Sequence, residues 1–100
     1  MAVTAYQSGS VYTDQTGLLI TGRARVTTII FNNTGAVTDA ATIIDNTSGT
    51  TPIKFKVYGS TTHGTVVINL DTPMVFNTGV YCSAITAGCT LILITTSGGA

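Results

Sequence analysis

The strongest signal in this chain is a two-residue beat of apolar and polar positions. In "IKFKVY", Ile53, Phe55 and Val57 alternate with Lys54, Lys56 and Tyr58, the pattern of a strand with one buried face. Similar short runs recur, separated by clusters such as "DNTSGTT" (45–51). The short polar side chains in those clusters bond nearby backbone, and Gly accepts positive φ, so they read as turns. The punctuation predicts strands at Val3–Tyr6, Ser10–Thr13, Leu18–Thr21, Arg23–Asn32, Thr42–Asp45, Ile53–Tyr58, Thr65–Leu70, Met74–Phe76, Val80–Ala84 and Thr90–Thr96. Pro52 and Pro73 fall in strand lead-ins, where a missing N–H leaves the ladder intact. No window sets apolar residues at i, i+3, i+4 and i+7 with charged partners between, so almost no helix is expected. Residues 1–96 are read as a single domain, an all-β antiparallel β-sandwich of jelly-roll or immunoglobulin-like type, and 97–100 as a flexible tail.

Two strands depart from simple alternation. "RARVTTIIFN" puts Arg23, Arg25 and Thr27 on one face and Ala24, Val26, Thr28 and Ile30 on the other, until Ile29 and Phe31 break the polar face. "TLILITT" is apolar on both faces, with Ile92 and Ile94 one way and Leu91 and Leu93 the other. A strand buried on both sides of a two-layer domain needs a cover beyond its sheet, either a loop or another copy of the protein.

Composition sharpens this picture. Thr, Val and Ile fill 40 of the 100 positions, and their stiff branched side chains suit pleated sheets and penalise helices. Only 8% of residues are charged and the net charge is zero, so little repulsion keeps copies apart. Four cations are too few for the counterion release that drives nucleic-acid binding. No apolar run exceeds four residues and the N-terminus lacks a signal-peptide pattern, so no membrane partner is expected and the chain reads as a soluble product of a cytoplasm.

Candidate chemistry is sparse. Cys82 and Cys89, in "CSAITAGC", have no second pair and only one imidazole, His63, to complete a zinc site. They read as reduced, buried thiols, with a cross-hairpin disulfide as the other possibility. His63 lies in a glycine-flanked loop with Ser60 nearby, but no nucleophile elbow accompanies them. The four aspartates all fall in or beside turns, where Asp bonds locally. No catalytic residue, cofactor or metal is therefore assigned. Tyr6, Tyr12, Tyr58 and Tyr81 could stack on sugar rings if they shared a face. Tyr58 beside Lys54 and Lys56 is the one aromatic and basic cluster, and interface anchoring is its expected use.

Two stretches carry a resemblance. Ile43–Gly49 with Thr50 follows an "(I/V)-x-D-x-T-S-x-(S)-G-T" turn, shorter here because Gly49 directly follows Ser48, and Phe76, Thr78, Gly79, Val80 and Tyr81 match "F-x-T-G-(L/V)-Y". In this arrangement, from about Gly17 to Thr95, the chain resembles small β-sandwich virion proteins of tailed bacteriophages. The resemblance implies a structural, non-catalytic protein of the virion, assembled in the host cytoplasm, above all a capsid decoration or cement protein. Its implied partners are the major capsid protein or other virion proteins and sister copies, with a homotrimer expected. The assigned interface residues are Ile29, Phe31, Tyr58, Leu91 and Leu93. A head–tail adaptor or tail-fibre-base protein is the structural alternative, and a carbohydrate-binding module the alternative of another class.

Overall fold

Turn residues divide the chain into nine strands in the computed structural model, which describes residues 3–4 and 9–96. They are β1 (Val3–Thr4), β2 (Gly9–Thr13), β3 (Gly17–Thr21), β4 (Ala24–Asn32), β5 (Ala40–Asp45), β6 (Ile53–Tyr58), β7 (Thr65–Phe76), β8 (Gly79–Ile85) and β9 (Thr90–Thr96). The described residues contain no helix, as the β-branched composition requires. The two strands expected at Thr65–Leu70 and Met74–Phe76 are the two halves of β7, which leaves its partner after Asn69 and rejoins it at Met74. The expected extension of the first strand to Tyr6 and the tail at 97–100 lie outside the described residues.

One sheet has the order β1-β3-β8-β5-β6 and the other β2-β9-β4-β7. All pairs are antiparallel except the two-residue contact of β1 with β3. From β2 to β9 the chain crosses between sheets at every step but one, β5 to β6. Eight strands in this order make the double-sheet jelly roll, which decides between the two sandwich types left open by strand content.

The space between the sheets is filled by Val26, Ile29, Phe31, Leu91 and Leu93 from one side and Ile20, Ile43, Val80 and Cys82 from the other, with Phe76 closing one end. Each large side chain buried in this way contributes about 1.5–3 kcal/mol relative to exposure. Four of the five expected interface residues are among them, so their assignment is corrected: Ile29 is 2% exposed, and Phe31, Leu91 and Leu93 are 0% exposed. The cause is a bulge at Thr27. β4 pairs Val26 with Thr95 and then Thr28 with Ile94, leaving Thr27 unopposed. One extra residue reverses the facing of everything after it. Ala24 and Val26 point inward before the bulge, Ile29 and Phe31 after it. Strict alternation through Thr27 had instead placed Ile29 and Phe31 on the outer face.

β9 is not two-faced in the same sense. Leu91, Leu93 and Thr95 are buried, while Ile92, Ile94 and Thr96 are half-buried on the outside. A similar skip moves Ile53. Ile43 opposes Phe55, but Ile44 opposes Ile53, so Ile53 turns outward at 59% exposure instead of following Phe55 and Val57 inward.

Candidate functional site

Residues directly opposite one another on antiparallel strands share a face and touch. Following the register across the outer side of the four-stranded sheet, Tyr12 opposes Ile92, Ile92 opposes Ile30, and Ile30 opposes Val67. These four residues form one apolar row crossing all four strands, fully open at its two ends, where Tyr12 is 59% and Val67 53% exposed. Polar rows flank it. On one side Thr65 Oγ1 donates to Asn32 Oδ1 at 2.8 Å and Asn32 Nδ2 donates to Thr90 Oγ1 at 2.9 Å. On the other, Ser10, Ile94, Thr28 and Asn69 align, and Thr28 Oγ1 donates to Asn69 Oδ1 at 3.2 Å. Arg25, in the last row with Thr96 and Val75, is the one charge in these rows.

This arrangement has a chemical consequence. Covering a polar surface normally costs the desolvation of groups left unpaired. Here several amide and hydroxyl groups already bond to each other across the strands, so a neighbour can cover the face without stranding them.

The outer side of the other sheet carries a comparable row, Leu18–Tyr81–Ile44–Ile53. Ile44 at its centre is fully buried although it lies outside the cluster between the sheets. Tyr58, the fifth expected interface residue, sits on this side on the rim strand β6 and is 56% exposed. Lys56 lies over its ring, 5.4 Å from the centroid, and Lys54 lies 5.6 Å from the centroid of Phe76. The lysines therefore cover aromatic rings with their cations, a contact worth about 0.5–1 kcal/mol at exposed sites. The described tyrosines do not form a stacking platform. Tyr12 stands on one sheet, and Tyr58 and Tyr81 stand on the other, with β5 between their strands.

A shallow depression of about 440 Å³ lies beside Tyr58, lined also by Ser60, His63, Thr65 and Val67. Ser60 Oγ accepts the main-chain N–H groups of Thr62 at 3.1 Å and His63 at 3.2 Å. The imidazole meets Thr62 through Nδ1, at 2.8 Å from the hydroxyl oxygen. The serine hydroxyl is thus engaged in shaping the loop and is not hydrogen-bonded to the ring.

Two aspartates organise turns. The hydroxyl and main-chain N–H of Thr34 donate to Asp39 at 2.5 and 2.7 Å, and hold its carboxyl below the ordinary value of 3.8. Asp39 is buried beside Cys89, whose thiol is pushed up by burial and then by that negative charge. Burial pushes the Cys82 thiol up as well, and both cysteines are free. Asp45 is the more informative of the two aspartates. Its carboxylate accepts main-chain N–H groups from Asn77, Thr78 and Gly79, the shortest at 2.8 Å. Burial raises its affinity for a proton, but those three donors and the nearby Lys54 outweigh it, so its carboxyl too lies below 3.8. The two stretches singled out in the sequence, Ile43–Gly49 and Phe76–Tyr81, are therefore the two halves of one clamp. A Cβ at Gly79 would stand 3.0 Å from the carbonyl oxygens of both Asn46 and Ile20, tighter than side chains ordinarily pack, so glycine suits this close approach.

The outward-facing apolar residues that sequence reasoning did not single out are Ile30, Ile92 and Val67. "LILI" is equally apolar on both faces, so the strand alone does not reveal which pair points out. No family model matches this chain, and no curated protein or solved structure matches it.

Proposed function

We propose that this chain is a structural assembly protein that works by being covered: a small jelly roll whose outer sheet faces pack against protein neighbours. The observation that carries this reading is the row Tyr12–Ile92–Ile30–Val67 between its hydrogen-bonded polar rows. The zero net charge supports it, since copies held side by side meet no accumulated repulsion. Double-sheet jelly rolls include viral capsid domains as well as lectins and cupins, and fold alone does not choose among them. The resemblance of Ile43–Thr50 and Phe76–Tyr81 to turns of tailed-phage virion proteins favours the first. In that setting the protein decorates or cements a capsid, and many weak contacts repeated over a symmetric shell add to firm attachment.

The test is immunogold electron microscopy of particles from the native host, with antibody raised against the purified chain. Label distributed over capsid shells is the expected result. Label confined to the tail or the head–tail junction replaces decoration with the adaptor or fibre-base role. Particles without label, from lysates that contain the chain, overturn the virion reading.

A further inference from the structure

The four sheet rims differ in how they are protected. In the larger sheet, β1 is two residues long and β6 carries Lys54 and Lys56 after Pro52. In the smaller sheet, β2 has five residues, but β7 has twelve. Soluble sheets blunt a long rim with lysine, proline, bulges or a cover, because its free N–H and C=O groups template another strand. Two of those devices sit on or beside β6. The first half of β7, Thr65–Asn69, has none: it holds no charge, proline or glycine. It pairs with β4 through five unbroken registers, from Asn32↔Thr65 to Thr28↔Asn69. Val67 there is 53% and Ile68 36% exposed.

We propose that Thr65–Asn69 pairs with the same stretch of a second copy, antiparallel about a two-fold axis at Val67, joining two four-stranded sheets into one of eight strands. The sequence complements itself in this register. Val67 opposes Val67, Val66 opposes Ile68, and Thr65 opposes Asn69, so no charge meets a like charge, and Asp71 falls beyond the pairing. Val67 ends the apolar row on each copy, so the two-fold axis makes that row continuous from Tyr12 to the other copy's Tyr12. Thr65 opposite Asn69 brings the two polar rows into line in the same way. The inward-facing Ile68, left half open at a free rim, gains Val66 of the other copy as a neighbour. The departure of β7 from β4 after Asn69, with Pro73 beyond it, limits the contact to this half. An isologous contact of this kind closes as a dimer, in place of the three-fold association expected at first.

The contact deepens the assembly reading and rests on it for its use, while its existence is tested separately. Sedimentation equilibrium of the full chain, from micromolar to submillimolar concentration, is expected to show a monomer–dimer equilibrium. Val67→Lys places two cations directly opposite at the axis and is expected to weaken dimerisation by roughly tenfold or more. Val67→Cys, mildly oxidised, is expected to give a covalent dimer, since a residue on the axis meets its own copy within disulfide reach; Tyr12→Cys at the far end of the row is expected to cross-link much less. A strictly monomeric chain overturns the proposal. So does a dimer indifferent to Val67→Lys whose Val67→Cys form does not cross-link, an outcome that leaves the assembly reading intact. Unlabelled particles in the immunogold experiment remove the virion reading without touching the dimer.

Discussion

The carboxylate of Asp45 takes three main-chain N–H groups from the β7–β8 turn, and Asp45→Ala leaves those donors to water. Because the site is partly solvated, the expected loss is about 1–2 kcal/mol, read as a lower urea midpoint at unchanged slope. The pH dependence has a definite sign. Asp39 and Asp45 both have carboxyls held below 3.8 in the folded protein, so the unfolded chain binds protons first as acid is added. The stability they confer is complete well above pH 3.8 and is lost as pH falls through the folded-state values. Urea midpoints should decline over that acid window, and Asp45→Asn should flatten the decline. This clamp was half legible in advance. Asp45 and Gly79 stood out as turn residues, but that they serve one turn depends on the pairing of β5 with β8, which local sequence does not encode.

At the scale of elements, the bulge at Thr27 determines what is inside. Its hydroxyl donates to the carbonyl of Ile94 at 3.2 Å, and Thr27→Ala should cost about 1 kcal/mol by losing that bond. Deleting Thr27 is a different experiment. It restores strict alternation and turns either Ala24 and Val26 or Ile29 and Phe31 out of the core, so the chain should lose its cooperative unfolding transition by circular dichroism. Strand positions were readable because Thr, Val and Ile between turn clusters leave little choice of backbone. The facing within β4 was not, since two adjacent threonines in "VTTIIF" look alike whether or not one is skipped. That single ambiguity moved Ile29 and Phe31 from the core to the surface. For β9 the two faces of "LILI" gave no way to choose, and burial against the second sheet settles it.

For the whole molecule, the expected contacts are apolar and nearly uncharged, so association should change little between low and physiological salt and strengthen in sulfate, which favours burial of apolar surface. Ile92→Lys, in the middle of the outer row, is expected to abolish association beyond the dimer at a cost of about 1 kcal/mol to the folded monomer, since Ile92 is half-buried; light scattering and urea titration check the two halves of that statement. The strand order has a further bearing on how the protein comes into being. β2 lies against β9, and Thr95 Oγ1 donates to the carbonyl of Gly9 across 86 positions. β9 is also the only link between β2 and β4 in that sheet. During synthesis β2 must therefore wait, unpaired, until β9 has been made, although β4 can already pair with β7 and β5 with β6. That closure has the millisecond-to-second pace of chains dominated by distant pairings, and a nascent chain stalled before β9 is a substrate for chaperones and proteases, not a smaller version of the fold.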